Sequence, residues 1–242
     1  LAGGERVMEK EFRRENSQVV SIKAFEDNVS VKSSLTYGLS LKNKVMYIFQ
    51  REPFTAVMTR SFILLPEHPM RPRLADPRIA IFSQGVSVFN GDSRGAQARY
   101  YAQRGNLEPK DMEQYRKGVL TEPKKPIVFY VDNTFPENWK KYIKEGVEVW
   151  QMAFEKIGFK NAIVARDFPV DDVTFDPDNL KYSCIRYVAN STANAMGPSW
   201  TDPTTGEIIN ASVLVYGNII QLINNWRFVQ TAQVDERVRG KE

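Results

Sequence analysis

The chain has 242 residues, 42% hydrophobic and 12% aromatic, enough for one large domain or two small ones with a core, and too apolar for a disordered polymer. It has one histidine, His68, and one cysteine, Cys184. That excludes an internal disulfide, and it excludes a catalytic zinc site of the usual kind, which draws on at least two histidines. The net charge of +4 is uneven: residues 1–125 carry 21 Lys/Arg against 14 Asp/Glu, and residues 126–242 carry 12 against 15. The basic residues are scattered and no nucleic-acid motif accompanies them, so solvated faces are expected and no nucleic-acid partner. No run approaches the roughly 18 apolar residues of a membrane span, and no signal peptide opens the chain.

In chain order, the first half reads as a β-rich module over 1–120. Gln18–Phe25 and Val29–Tyr37 are rich in β-branched residues with local alternation, and Asp27-Asn28 between them suits a turn. Further strands are expected at Val45–Phe49, Ala56–Leu65 and Ile79–Asn90. Pro69, Pro72 and Pro77 make 66–78 an irregular, basic connector. A short helix is expected over Leu107–Leu120. Thr121 to Pro126 is polar and without periodicity, and reads as a linker.

The second part, 127–242, changes period. Ile127–Asp132 is a short apolar strand. Thr134 and Glu137 have capping-box spacing, in which each side chain satisfies an amide of the other. Trp139, Ile143, Val147, Trp150, Phe154 and Ile157 then recur in steps of three and four, one face of a helix that Gly158 ends, with Phe159 folding back on Phe154. Asn161–Phe168 completes a βαβ unit with parallel strands. An acidic loop at Asp171–Asn179 and a strand at Tyr182–Val188 follow. Asp202 to Gly206 is a turn leading into Glu207–Tyr216, whose one-sided alternation suits an exposed edge strand. Ile219, Leu222, Ile223, Trp226 and Val229 mark a last helix. The fold class is α+β, a mixed α/β chain with a twisted mixed sheet in its second half.

No constellation of residues here makes an active site. His68 lies in a proline-bracketed turn, and Cys184 lies in a strand, where a free thiol acts as a small buried hydrophobe. Asp171, Asp172, Asp176 and Asp178 supply oxygens for calcium but lack the EF-hand spacing and its closing glutamate, so a solvated loop is expected. Glu145, Glu148 and Glu155 lie off the apolar stripe, as exposed helix charges do. Phosphate-loop, dinucleotide and nucleophile-elbow motifs are absent from the sequence.

A resemblance adds what the residues alone do not. Pro126 to Asp132, Trp139 to Phe159, Tyr182 to Tyr187, and above all Ala193-Asn194-Ala195-Met196-Gly197-Pro198-Ser199-Trp200-Thr201-Asp202-Pro203 with Thr205-Gly206-Glu207-Ile208-Ile209-Asn210-Ala211 resemble bacterial zinc-dependent metalloproteases of the metzincin type. Arg71 to Arg78 resembles a segment of the module that precedes the protease. The resemblance implies a strand, a long helix, further strands and an edge strand above a cleft, then an H-E-x-x-H-x-x-G-x-x-H helix holding zinc and the general base. The 242 residues stop before such a helix, so no catalytic and no metal-binding residue carries over, and zinc is expected only in a longer parent chain. What carries over is the edge strand: Ser212, Val213, Leu214 and Val215 would pair with an extended peptide or protein substrate through backbone hydrogen bonds. The resemblance also implies a periplasmic or secreted location, and the uncovered catalytic-domain face suggests a homodimer. The alternative function is a non-enzymatic peptide- or protein-binding module that uses the same edge.

Overall fold

The computed structural model describes residues 7–42, 46–89 and 95–237. They fall into two compact units, Leu1–Pro66 with Asp178–Leu180, and Glu67–Pro177 with Lys181–Glu242. The break therefore lies at Pro66, not at the expected linker 121–126. Those linker residues are held by long-range hydrogen bonds that no local pattern reveals: Thr121 N–H donates to Gly158 O, Lys160 N–H to Thr121 O, and Lys110 N–H to Glu122 O.

The first unit is an antiparallel sheet of three long strands, β1 (Val7–Ala24), β2 (Asn28–Lys42) and β3 (Tyr47–Ile63), in the order β1-β2-β3. β3 runs unbroken through Pro53, where two strands were expected. Pro53 pairs with Gly38 on an outer strand, where a missing N–H on the open side costs no ladder bond. Val45 and Asn90, ends of two expected strands, lie outside the described residues. Four residues, 14–17, bulge out of β1 opposite Leu35. There Ser17 Oγ accepts the Thr36 amide at 2.9 Å, and Thr36 Oγ1 donates to Asn16 O at 2.8 Å.

Strand alternation sorts this sheet into two unlike faces. Phe12, Tyr37 and Phe54 form one cross-strand row, Val19, Ser33 and Met58 another, and Ala24, Val29 and Phe62 a third, all on one face. The Phe12 and Tyr37 rings lie 5.5 Å apart. The opposite face carries Ser30, Thr36, Gly38 and Ser40 on β2, flanked by Lys23, Arg13, Glu11 and Glu9.

In the second unit, β4 (Ser83–Val88) and β5 (Gln97–Ala102) form a hairpin, and the polar segment before it is anchored by Ala102 N–H to Arg73 O and Ala75 N–H to Tyr100 O. The helix expected over Leu107–Leu120 shrinks to α1 (Met112–Arg116), capped by Asp111, whose carboxylate accepts the Gln114 amide at 3.0 Å.

The main sheet of this unit contains β6 (Ile127–Val131), β7 (Ile163–Asp167), β8 (Ser183–Val188), β9 (Ala195–Met196), β10 (Ser199–Thr201) and β11 (Ile208–Tyr216). The order is β10-β11-β8-β6-β7, with β9 also on β11. β6 is parallel to β7, Ile127 opposite Ile163, so the expected βαβ pairing holds. Its helix is two segments, α2 (Glu137–Glu148) and α3 (Gln151–Lys156). Between them Val149 and Trp150 keep helical φ with ψ of −27° and −17°, a 3₁₀-like tightening that throws the later residues off the 3.6-residue stripe. Trp139, Ile143 and Val147 accordingly pack on the core, while Trp150 and Ile157 are exposed.

The capping box does not form. Pro136 is the N-cap, the Thr134 amide goes to Asp132 Oδ1 at 2.9 Å, and Glu137 takes Lys140 Nζ at 2.7 Å instead. Gly158 ends the helix at φ +94°, as expected. The Phe159 amide does return to Phe154 O, but the Phe159 ring packs on Tyr115, centroids 5.1 Å apart.

Candidate functional site

The far side of the main sheet is built outward from its core. Val131, Phe135, Ile185 and Val215 are buried together, with Trp139, Tyr187 and Val213 packed round them. Tyr187 lies 5.4 Å from Phe135 and edge-on to Trp139. On β6 and beyond it, Tyr130, Phe168, Phe175 and Tyr182 form a second aromatic cluster, the Phe175 and Tyr182 centroids 4.7 Å apart. These two clusters fix β8. β11 then lies parallel to it, Ser212 opposite Cys184 through Tyr216 opposite Val188. Asn210, 4% exposed, locks the start of the pair: its Nδ2 donates to Tyr182 O at 2.9 Å, while Ser183 Oγ accepts the Ala211 amide.

β11 is therefore not the sheet edge. Its other side is taken by β9 and β10, which run antiparallel to it: Val215 opposite Ala195, Leu214 opposite Met196, Ala211 opposite Ser199 and Asn210 opposite Trp200. Ser212 N–H donates to Pro198 O at 3.0 Å and Tyr216 N–H to Asn194 O at 3.2 Å. The expected substrate-pairing set Ser212, Val213, Leu214 and Val215 is thus enclosed by strands on both sides, and its backbone cannot also receive a peptide. The reason is local: β9 has two residues, Pro198 separates it from β10, and neither stretch is long enough to show a period.

The exposed edge is the chain from Ser191 to Trp200, every residue of it exposed. Among the described residues no strand pairs with the outer side of β9 or β10. The turn that closes this edge is tightly specified. The Asp202 carboxylate, 1% exposed, accepts Thr204 N–H and Thr204 Oγ1 on Oδ1, both at 2.7 Å, and Thr205 Oγ1 on Oδ2 at 3.0 Å. Burial pushes the Asp202 carboxyl up, but the bonds from Thr204 and Thr205 outweigh it and hold it below its ordinary value. After β11, α4 (Ile219–Thr231) seats Ile219 on the core and leaves Ile223, Trp226 and Val229 exposed.

The other candidate residues are dispersed. His68 is exposed in an irregular segment. Cys184 is buried in β8 with its Sγ toward Tyr182 O. Asp172 closes a turn on Thr174, and Asp178 pairs with Lys23 at 2.8 Å in the first unit. Glu148 receives the Ala165 amide, and Lys144 and Asp167 pair beside it at 2.9 Å, which leaves an open, mutually neutralised depression. Among the described residues no group of three His, Cys, Asp or Glu side chains could hold a metal ion. The donor set does not fit a catalytic zinc.

A family model described as Domain of unknown function (DUF5117) matches residues 3–110, which takes in the three-stranded sheet and the β4–β5 hairpin. Comparison with curated proteins and with solved structures finds no match. No helix among the described residues is long and apolar enough to cross a membrane.

Proposed function

We infer that the chain is part of a zinc-dependent endopeptidase of the metzincin type, comprising an N-terminal β-rich module and the upper part of the catalytic domain. The observation that carries this reading is the run β6, α2–α3, β7, β8, an open antiparallel edge at β9–β10, then β11 and α4. The strand, helix and further strands come in the order the sequence resemblance implies, with the edge on β9–β10 rather than on β11. The apolar residues left exposed on α4 support it, because the remainder of a catalytic domain would cover them. On this reading an extended peptide substrate adds to the outer side of Ala195–Thr201 by β-augmentation. The zinc and its general base belong to chain outside these 242 residues, so no hydrolytic step is assigned to the residues present. The location consistent with the resemblance is periplasmic or secreted.

A second reading is a non-enzymatic peptide- or protein-binding module. The same open edge favours it, together with the missing metal donors. Two measurements separate the readings. The parent gene, read beyond the codon for Glu242, is expected to encode H-E-x-x-H-x-x-G-x-x-H, and a stop codon there would hand the lead to the binding module. The 242-residue chain alone is expected to take up no stoichiometric zinc and to leave casein intact. A chelator-sensitive cleavage by the pure chain would overturn the assignment of the metal to sequence outside it.

A further inference from the structure

The three-stranded sheet of the first unit has one apolar face, which is exposed among the described residues. On it Phe12, Val19, Ile22, Phe54, Met58 and Phe62 are each between 43% and 64% exposed. From Val29 to Leu41 it extends over roughly 40 Å by 14 Å at ordinary strand rise and spacing, on the order of 600 Å² in projection. Contiguous apolar patches of that size mark association surfaces, and each partner in a stable interface contributes about 800 Å².

Three charges interrupt this face, Lys10 on β1 opposite Leu39 and two on β3. Arg60 lies opposite Val31, and Glu52 lies opposite Leu39. Neither forms an ion pair within the described residues, and the ladder between them has no bulge. They stand four residues either side of Ala56, which is opposite Leu35. A point charge in an apolar interface is costly unless it meets its opposite, so the symmetry of this placement selects the occupant.

We propose that a second copy of the same sheet covers this face, related by a twofold axis that crosses the strands at Leu35 and Ala56. The operation sets Arg60 of each copy against Glu52 of the other, giving two ion pairs at the rim, and sets Lys10 beside Ile22 at the opposite rim, where its long stem lets the ammonium reach water. It also sets large side chains against smaller ones: Tyr37 meets Ser33, Phe12 meets Val19, and Leu39 meets Val31. At the far ends Phe62 meets Phe49, which lies opposite Leu41 on the same face. A twofold parallel to the strands is a poorer fit. It pairs Glu52 with Lys10 and leaves Arg60 against Ile22, so charge alone does not separate the two axes. Size does: this axis stacks Phe12 on Phe54 and Tyr37 on Tyr37, and faces Ser33 with Ser33 across a void. The result is a two-layer sandwich with its sheets about 10 Å apart and the polar faces outward. The dimer surface is the N-terminal sheet, not the catalytic-like half, and it stands whether or not the peptidase reading holds.

The test is sedimentation of the full 242-residue chain across the micromolar range, with Glu52→Arg, Arg60→Glu and the double swap. All three variants change exposed positions, and circular dichroism checks that each folds. The wild type is expected to dimerise. Each single reversal should weaken the dimer about tenfold or more, because it faces like charges, and the double swap should restore it. An Ala56→Cys chain should link to a second copy through a bismaleimide of roughly 10 Å, the sheet-to-sheet distance. A chain that stays monomeric, a dimer unmoved by the single reversals, or a double swap without rescue would each overturn the proposal. So would a monomer captured by neutral lipid vesicles, which would give the face to a lipid surface.

Discussion

A methyl group placed on Gly206 would stand 2.6 Å from the carbonyl oxygen of Ala102, and Gly206 itself sits at φ +77°. The same turn donates its Gly206 amide to Asp202 O and accepts the Arg104 amide on Gly206 O, so neither backbone can withdraw freely. Gly206→Ala is therefore expected to lower stability by about 2–4 kcal/mol, combining left-handed strain with a backbone clash. Urea denaturation of the two chains side by side measures it, and a loss below about 0.5 kcal/mol, the usual scale of a neutral surface change, would show that the turn yields.

The Asp202 carboxyl is held below its ordinary value in the folded chain, so its contribution to stability is present above the unfolded carboxyl pKa, near 3.8. It is lost as pH falls through the lower, folded value. Asp202→Asn replaces an acceptor-only group with one that puts an NH₂ toward Thr204 or Thr205, and is expected to cost on the order of 1–3 kcal/mol at neutral pH. The cost should shrink as the wild-type carboxyl protonates. Thermal melts of both chains at neutral pH and near pH 3 read the difference, and a penalty independent of pH would refute the charge-based account.

Asn28 is 2% exposed and joins two distant parts of the chain in the first unit. Its Nδ2 donates to Asn179 Oδ1 at 2.8 Å and to Asp27 Oδ1 at 2.7 Å, and its Oδ1 accepts the Leu180 amide at 3.2 Å. Asn28→Ala removes these three bonds at a position that is itself buried. We expect a loss of about 1–3 kcal/mol and faster hydrogen exchange at Leu180. Unchanged protection of that amide would show that Asp178–Leu180 is held by other bonds.

How far the site was legible depends on the length over which each signal runs. The stripe Trp139, Ile143 and Val147 lies within a few turns of one helix, so its buried face follows from spacing alone. The parallel pairing of β6 and β7 follows too, because one helix links two short apolar strands. The open edge did not follow. Alternation in Glu207–Tyr216 says that one face is apolar, but it carries no information about which strand lies alongside, and both Cys184–Val188 and Ala195–Thr201 do. Two residues of β9 and three of β10, split by Pro198, are below the length at which a period of two can be recognised.

By itself the sequence determined the composition of the possible chemistry and the locally encoded elements. One histidine and one cysteine rule out a histidine-built zinc centre within these residues, and the positive-φ glycine at 158 and the amphipathic face of α2 are written in short-range steric and hydrophobic rules. The tertiary structure alone decided where the chain divides, which strand forms the sheet edge, and that β3 pairs with β2 unbroken through Pro53, which puts Glu52 on one face with Arg60. Each of these depends on hydrogen bonds or registers between residues tens of positions apart. The free energy of such contacts is settled only when the strands meet, since the cost of closing each loop varies slowly with its length and leaves many pairings open.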